Sequence, residues 1–292
     1  MRFTRIAAIL GAVTATIALS GCIQGAPEGA DPGPSFEPAA QVELRNSPVY
    51  DAMRARGAVV IGVKEDQPGL GYLDPLTGRR SGFDIGIARW IAAELGFSEE
   101  QIVFKAIPSA NREQAIVNGD IDYYVGTYSI TDKRKQQIGF AGPYLETGQG
   151  LLVKQGSTIA GPESLNGSTT VCSATGSTPI QNIRERYPEV PTVEFDTYSQ
   201  CVEQLYNGQV DAVTTDQAIL VGYAAQEPEE LAVVGEPFST ERYGIGVRKD
   251  DEALREFVND VLEQGAEQWQ EIYDTSLGDS GFVAEQPEVD RP

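Results

Sequence analysis

Arg134 is the residue whose place in the sequence most needs a chemical explanation. It falls in the first turn of a short helix that Thr131 is expected to cap, beside Asp132 and Lys133. A helix dipole disfavours cations at that end, so another interaction must favour the arginine. A guanidinium that binds a carboxylate through two parallel hydrogen bonds supplies one. The pattern therefore indicates a carboxylate-binding arginine, with a solvated cation in the Lys-Arg-Lys run as the alternative.

Two further segments carry polar groups that suit a small charged ligand. The segment Thr175-Gly176-Ser177-Thr178 falls between a predicted strand and a predicted helix, where backbone N–H groups and hydroxyls can surround an anion. Asp216 ends another predicted strand, and an ionised aspartate only accepts hydrogen bonds, which favours an ammonium group. Each signal is weak alone, because connecting turns look alike and an aspartate there can also cap a surface helix.

The composition excludes several kinds of chemistry. The 292 residues include no histidine, which removes histidine-based catalytic triads and histidine-ligated metal sites. The chain carries 22 Lys+Arg against 43 Asp+Glu, a formal charge of −21, so it lacks the cationic surplus that binds nucleic-acid phosphates. We expect no nucleic-acid partner, no metal and no cofactor. A hydrophobic content of 41% with 22% charged residues indicates a folded protein of about two domains.

Short hydrophobic runs alternate with helical patterns along most of the chain. The β-branched segment 57–63 predicts a buried strand, and apolar residues between 83 and 95 recur at the spacing of one helix face. The alternation continues beyond residue 150 and ends in one long helix predicted from about Glu252 to Tyr273. We predict an α/β protein with parallel-rich sheets flanked by helices.

An internal repeat indicates two lobes built on one plan. Asn118–Thr127 (NGDIDYYVGT) and Asn207–Asp216 (NGQVDAVTTD) both read as a helix end, an Asn-Gly turn and a hydrophobic strand. In open α/β sheets, ligands bind beyond the carboxyl ends of the strands. Thr127 and Asp216, at matching strand ends, would then face a shared cleft. The alternative is chance similarity of a common turn–strand pattern.

The first 41 residues are interpreted as a targeting signal and a tether. An uncharged apolar run from Ile6 to Leu19 is too short to span a membrane. It ends in Leu-Ser-Gly-Cys22, which resembles the lipobox of bacterial lipoproteins. This resemblance implies a signal peptide of residues 1–21, lipidation of Cys22 and attachment to the outer face of the cell membrane. Residues 22–41, rich in Gly and Pro, would form a flexible tether. A plain secretory signal with an incidental cysteine is the alternative.

The other two cysteines, Cys172 and Cys201, form an even pair. The extracytoplasmic compartment implied by the lipobox permits disulfides, so we expect a bond between them. Two buried free thiols are the alternative. Two cysteines without histidine do not make a metal site.

Seven phrases, in order, resemble the extracytoplasmic solute-binding proteins (family 3) of polar amino-acid ABC importers, and in particular the glutamate-binding lipoproteins of actinobacteria. They lie between about Gly57 and Tyr273: GVKEDQPGLG (62–71), GFDIGIA (82–88), PSANR (108–112), TYSITDKR (127–134), TGSTP (175–179), DAVTTD (211–216) and YGIGVR (243–248). The resemblance implies a two-lobed periplasmic-binding-protein-like α/β fold (type II), each lobe a mixed sheet flanked by helices, with two hinge crossovers. Lobe 1 would comprise residues 42–144 and 243–278, lobe 2 residues 149–241, and residues 279–292 a frayed acidic tail.

The resemblance also implies a set of ligand-binding residues. They are Lys64, Ser109, Arg112, Thr127, Ser129, Arg134, Thr175, Gly176, Ser177 and Asp216. Arg134 would bind the α-carboxylate of an amino acid and Asp216 its α-ammonium group. Acidic-amino-acid binders of this family use cations and a serine where this chain has Lys64, Ser109 and Arg112. Two cations beside a buried site are costly unless an anion neutralises them, which favours glutamate or aspartate.

The expected function is that of a binding protein, not an enzyme. It would capture glutamate, possibly aspartate, between its lobes and deliver it to the permease subunits of an ABC importer, as a lipid-anchored monomer. Asparagine or glutamine stays open, because Ser109 and Lys64 can also donate to an amide oxygen. A ligand sensor feeding a signalling receptor would have the same binding body. A dehydratase or lyase on this scaffold would need a carboxylate as acid or base; Glu65 or Glu146 could be nominated, but neither lies in a recognised catalytic motif.

Overall fold

The computed structural model describes residues 33–291. The expected signal peptide, the expected lipidation site at Cys22 and the first part of the expected tether lie outside the described residues. Within them the chain forms two five-stranded sheets, each flanked by helices, and a small three-stranded sheet.

The strands, in chain order, are β1 (Val59–Val63), β2 (Asp66–Gln67), β3 (Gly71–Leu73), β4 (Arg80–Ser81), β5 (Ile102–Ala106), β6 (Tyr123–Tyr124), β7 (Gly139–Thr147), β8 (Gln149–Lys154), β9 (Val171–Ala174), β10 (Thr192–Phe195), β11 (Ala212–Asp216), β12 (Leu231–Val234) and β13 (Glu241–Val247). The helices are α1 (Pro48–Arg56), α2 (Phe83–Glu94), α3 (Arg112–Asn118), α4 (Asp132–Lys135), α5 (Thr178–Arg186), α6 (Tyr198–Tyr206), α7 (Gln217–Gln226), α8 (Glu252–Gln264) and α9 (Ala266–Ser276).

Each large sheet mixes parallel and antiparallel ladders. The first sheet has the order β5-β1-β6-β13-β7, and the second β10-β9-β11-β8-β12. In both, the first three strands pair in parallel and the other ladders are antiparallel. The predicted two-lobed α/β architecture is confirmed, with the sheets mixed rather than mainly parallel.

The two segments of the internal repeat occupy the same place in the two sheets. Strand β6 is third in the first sheet and β11 is third in the second, at the point where parallel pairing changes to antiparallel. The repeat therefore reflects two lobes of one plan. The carboxyl ends of β6 and β11 lead to Thr127 and Asp216.

The connection between the lobes runs along paired strands. β7 of the first sheet is followed after one residue by β8 of the second, and its partner β13 pairs Glu241 with Thr147 at the same level. The lobe limits given above stay a prediction, but the sheet membership of the strands places the chain crossings at these two strands. We refer to the part built on the first sheet, together with the small sheet β2-β3-β4, as lobe 1, and to the part built on the second sheet as lobe 2.

The prediction of one long C-terminal helix is wrong in one respect. It is two helices, α8 and α9, which meet at Gly265. A Cβ on Gly265 would lie 1.9 Å from the ring of Trp90 on α2. The break thus lets α2 pack closely against this corner, a tertiary contact that periodicity does not record.

Both ends of the described chain lie against lobe 1. In the expected tether, Ala39 N donates to Ala93 O at 2.8 Å, and Phe36 packs on the core. In the expected frayed tail, Phe282 is buried, and both carboxylate oxygens of Asp290 accept from Arg242 at 2.6 and 2.9 Å. A few anchoring contacts thus join parts of both segments to lobe 1, and average composition does not record such contacts. The flexibility of the two segments stays a prediction.

Candidate functional site

The predicted site residues lie at the carboxyl ends of strands, where the two lobes face each other. Eight of the ten are buried; Thr175 is half-buried and Gly176 is exposed. Lys64 follows β1, Ser109 and Arg112 follow β5, and Asp216 ends β11. Strand ends of an open α/β sheet converge on one crevice, which explains how residues so distant in sequence come together.

Lys64 and Arg112 are two buried cations that share one serine. Lys64 Nζ donates to Ser109 Oγ at 2.7 Å, and Arg112 Nε donates to Ser109 O at 3.1 Å. Arg112 Nη1 also donates to Thr127 O at 3.3 Å, and its guanidinium lies 4.2 Å from the ring centroid of Tyr128. Within residues 33–291 neither cation has a carboxylate at ion-pair distance.

The buried position of Lys64 near Arg112 has an electrostatic consequence. Burial, and next the charge of Arg112, lower the pKa of the Lys64 ammonium to about 7. Desolvation disfavours the charged form of an amine, and a like charge adds to the effect. An anion bound between Lys64 and Arg112 would remove both penalties.

Arg134 reaches from lobe 1 to lobe 2. Its Nη1 donates to Ser129 O at 2.7 Å, its Nη2 to Gly176 O across the cleft at 3.1 Å, and its Nε to Glu113 Oε1 at 3.2 Å. A guanidinium has five N–H donors, so one on each terminal nitrogen is left for a ligand. Thr131 caps α4 as predicted, accepting from Arg134 N at 3.2 Å.

The argument from the helix dipole does not explain Arg134. Helix α4 has four residues, so its first and last turns are the same turn. Arg134 is 7% exposed, and burial lowers its pKa. What sets this arginine apart from the solvated cations beside it is its buried position at the lobe boundary.

Thr127 holds an unusual backbone conformation that a buried aspartate supports. Its φ is +47°, in the left-handed region that β-branched residues rarely adopt. Thr127 N donates to Asp84 Oδ2 at 3.0 Å, and Tyr144 OH donates to Asp84 Oδ1 at 2.7 Å. The Thr127 hydroxyl contacts the side-chain amide of Gln67 at 3.2 Å. Burial raises the pKa of Asp84 to about 6.

Asp216 offers a buried carboxylate oxygen that lacks a partner. Its Oδ2 accepts from Tyr243 OH at 2.6 Å, while Oδ1 has no hydrogen-bond partner among the described residues. Burial, and next the nearby Glu241 carboxylate, raise the pKa of Asp216 to about 8. A cation at Oδ1 would supply the missing hydrogen bond and favour ionisation of Asp216.

The loop after β9 contributes less to an anion site than the sequence suggests. The Thr175 and Ser177 amides donate to Phe195 O at 2.8 Å and Ala174 O at 3.1 Å. The Ser177 hydroxyl caps α5 and contacts Ser173. The Gly176 amide and the Thr175 hydroxyl remain for a ligand, and the Gly176 carbonyl binds Arg134.

The expected disulfide between Cys172 and Cys201 is confirmed. It joins β9 to α6, with Cα atoms 5.5 Å apart. Both residues lie in lobe 2 on elements that lead to the cleft, so the bond braces that side of the site.

The sequence did not predict the residues whose hydrogen bonds hold the site residues in place. Asp84, Gln67, Tyr243 and Glu113 were not predicted to take part. Asp84 carried one usable signal, a lone acid within the apolar pattern of α2. The other three are ordinary in sequence, and only the tertiary structure places them beside site residues.

Residues 33–291 contain neither a metal-ligand cluster nor a helix suited to span a membrane. No cluster of three or more Asp, Glu, Cys or His side chains is arranged to hold a metal ion. In the same part of the chain, no helix combines the length and the apolar character needed to cross a membrane.

Two lobes of one plan that meet over buried charged groups define a solute-binding protein. Residues 59–279 match the bacterial extracellular solute-binding proteins, family 3, and the chain belongs to that family. It is therefore an extracytoplasmic binding protein, and its relatives bind solutes and are not enzymes.

Comparisons with individual proteins agree with this assignment. The chain is 39% identical to the glutamate-binding protein GluB of Corynebacterium glutamicum, over 97% of this chain and 94% of the relative. It is 41% identical to the ABC transporter glutamine-binding protein GlnH of Bacillus subtilis, over 73% and 78%. Among solved structures, it is similar to a cysteine-binding protein from Campylobacter jejuni, with a TM-score of 0.76, 26% identity, and coverage of 82% and 99%.

Proposed function

We propose that this protein binds an acidic amino acid, glutamate first and aspartate second, between its lobes and delivers it to the permease of an ABC importer. One observation carries the proposal: Lys64 and Arg112 are buried together without a carboxylate partner among the described residues. Buried cations are costly unless they are neutralised. The similarity to glutamate-binding GluB, which spans nearly the whole chain, supports the same ligand.

The proposed arrangement pairs each charged group of the ligand with a protein group of opposite sign. In our proposal the side-chain carboxylate lies between Lys64 and Arg112, with the Ser109 hydroxyl beside it. The α-ammonium group binds Asp216 Oδ1. The α-carboxylate takes the free donors of Arg134, with Thr127, Ser129 and the loop 175–177 around it. Each charged end of the ligand then meets a protein group of opposite sign.

Glutamine binding is the second candidate. The similarity to glutamine-binding GlnH favours it, and Lys64 and Ser109 can both donate to an amide oxygen. A neutral side chain, however, would leave Arg112 and Lys64 buried without a counter-charge. The electrostatics therefore favour the acid.

The proposal includes the protein's attachment and partners. We propose cleavage before Cys22 and lipidation of its sulfur, which would hold a monomeric body at the outer face of the cell membrane. The permease subunits of the importer would then receive the ligand-bound, closed form. A signalling receptor in place of the permease is the alternative; ligand uptake into cells lacking the gene separates the two.

Calorimetric titration of residues 23–292 with the twenty amino acids tests the ligand. Glutamate should bind most tightly. Arg112→Gln should weaken glutamate binding by about 2–4 kcal/mol, because it removes one partner of a buried charge pair. The same variant should change glutamine binding by less than about 1 kcal/mol, since a neutral amide needs no cation.

The comparison of the two ligands is the internal control. Retained glutamine binding would show that Arg112→Gln leaves the site intact, and Arg248→Gln, on the surface, controls for net charge. Equal losses for glutamate and glutamine would contradict the assignment of Lys64 and Arg112 to the ligand's side chain.

A further inference from the structure

Asp66 of lobe 1 binds the start of a helix in lobe 2. Its Oδ2 accepts from the backbone amides of Tyr198 at 2.8 Å and Ser199 at 3.2 Å. These are the first two residues of α6, whose next amide is capped within lobe 2 by Thr197. A carboxylate at a helix N-terminus is stabilised both by hydrogen bonds to free N–H groups and by the helix dipole.

The same strand of lobe 1 packs closely against α7. Tyr223 OH donates to the backbone carbonyl of Asp66. A Cβ on Gly222 would lie 2.1 Å from Pro68 O, so the absence of a side chain at Gly222 permits the approach. Residues 66–68 thus contact both α6 and α7 of lobe 2.

This contact lies beside the ligand site but makes no use of the proposed ligand atoms. Asp66 is two residues from Lys64. On the other side, burial and then the Asp216 carboxylate raise the pKa of the Tyr198 hydroxyl to about 12, which places that hydroxyl in the field of Asp216. The contact therefore connects the two lobes next to both charged ends of the proposed site.

We propose that residues 66–68, seated on the N-terminus of α6 and on Gly222 of α7, form a latch that holds the lobes closed over the ligand. The inference rests on the proposed function in that the ligand used to test it is glutamate. The latch adds affinity to any ligand that the site accepts and adds no selectivity, because it touches none of the ligand's distinguishing groups. Asp66 is a positioning residue, and its loss should appear chiefly in the dissociation rate.

Stopped-flow binding of glutamate to residues 23–292 provides the first measurement. Asp66→Ala should raise the dissociation rate roughly tenfold, the effect of losing a helix-capping acceptor. The ratio of glutamate to glutamine affinity should stay unchanged in Gly222→Ala, which keeps the charge of Asp66 near Lys64. Asp250→Ala, which removes an exposed carboxylate of lobe 1, should dissociate at the wild-type rate.

Gly222→Ala attacks the latch from the other lobe. Alanine favours a helix more than glycine does, so α7 and lobe 2 should stay folded in the variant, as circular dichroism of the ligand-free protein would show. Its glutamate affinity should nevertheless fall at least about tenfold, because the added methyl group blocks closure. Thr197→Ala weakens α6 within lobe 2 only, and should lower thermal stability without raising the dissociation rate comparably.

Hydrogen exchange at the Tyr198 and Ser199 amides tests the latch without depending on binding. In the ligand-free protein, both amides should exchange faster in Asp66→Ala and Gly222→Ala than in the wild type. Wild-type exchange and dissociation rates in either variant would overturn the latch, as would equal effects of Thr197→Ala and Asp66→Ala. If the wild type does not bind glutamate, the proposed function fails, while amide exchange still decides the latch.

Discussion

Ligand binding should release protons below about pH 7.5 and take up protons above it. In the ligand-free site the pKa of Lys64 is lowered to about 7 and that of Asp216 is raised to about 8, both mainly by burial. The ligand's side-chain carboxylate should raise the pKa of Lys64, and its ammonium group should lower that of Asp216. Binding therefore takes up a proton at Lys64 and releases one from Asp216.

The two effects have opposite pH windows. The contribution of Lys64 to the binding free energy is complete below about pH 7 and is lost as the pH rises towards the pKa of Lys64 in the bound state. The contribution of Asp216 is complete above about pH 8 and is lost as the pH falls towards the pKa of Asp216 in the bound state. At about pH 6.5 the site should release about 0.7 protons, and at about pH 8.5 it should take up about 0.7. The affinity for glutamate should be highest near pH 7.5 and about two- to threefold lower at about pH 6.5 and about pH 8.5.

Calorimetry in phosphate and in Tris measures the proton number, because the two buffers differ in heat of ionisation. Lys64→Met should release protons throughout the range, and Asp216→Asn should only take them up. A binding heat independent of the buffer at about pH 6.5 and about pH 8.5, or proton exchange of the same sign at both, would refute the assignment of these groups to opposite ends of the ligand.

The other predictions concern the shared part of the ligand and the disulfide. Arg134→Ala should weaken the binding of every amino acid by at least about 3 kcal/mol in calorimetry, because all share the α-carboxylate. Arg134→Lys should retain part of this binding free energy. Normal binding of neutral amino acids by Arg134→Ala would contradict the assignment of Arg134 to the α-carboxylate. Replacing Cys172 and Cys201 by alanine opens a loop with a separation of 29 residues. The free energy of unfolding in urea should then fall by about 3–4 kcal/mol, and an unchanged midpoint would show that the bond adds nothing to stability.

Much of the fold follows from local patterns in the sequence. Alternating strands and helices predicted the α/β class, and the repeat at Asn118 and Asn207 predicted two lobes of one plan. The sequence could not show that α8 and α9 separate at Gly265, because the cause is a close approach to Trp90. It also could not show that Phe282 is buried, since a few anchoring contacts do not change the average composition of the tail.

The sequence indicated the charged residues of the candidate site but not the residues that hold them in place. Motifs in the sequence single out Arg134 and Asp216, and the structure places both in buried positions; their roles in ligand binding stay a prediction. Asp84 and Tyr243 hold Thr127 and Asp216 in place from other elements. No local pattern links such pairs, because each contact joins residues that are distant along the chain.

An anion site in a protein of net charge −21 must keep its cations away from the protein's own carboxylates. Lys64 is followed directly by Glu65 and Asp66, yet it pairs with neither. Arg80 binds Glu65 at 3.2 Å, and the start of α6 binds Asp66. The contact that we propose to hold the lobes closed thus also occupies the second of these two carboxylates. Because Glu65 and Asp66 are engaged by other groups, the Lys64 ammonium keeps no ion pair of its own within the part of the chain that the structure describes and stays available to the ligand's anion.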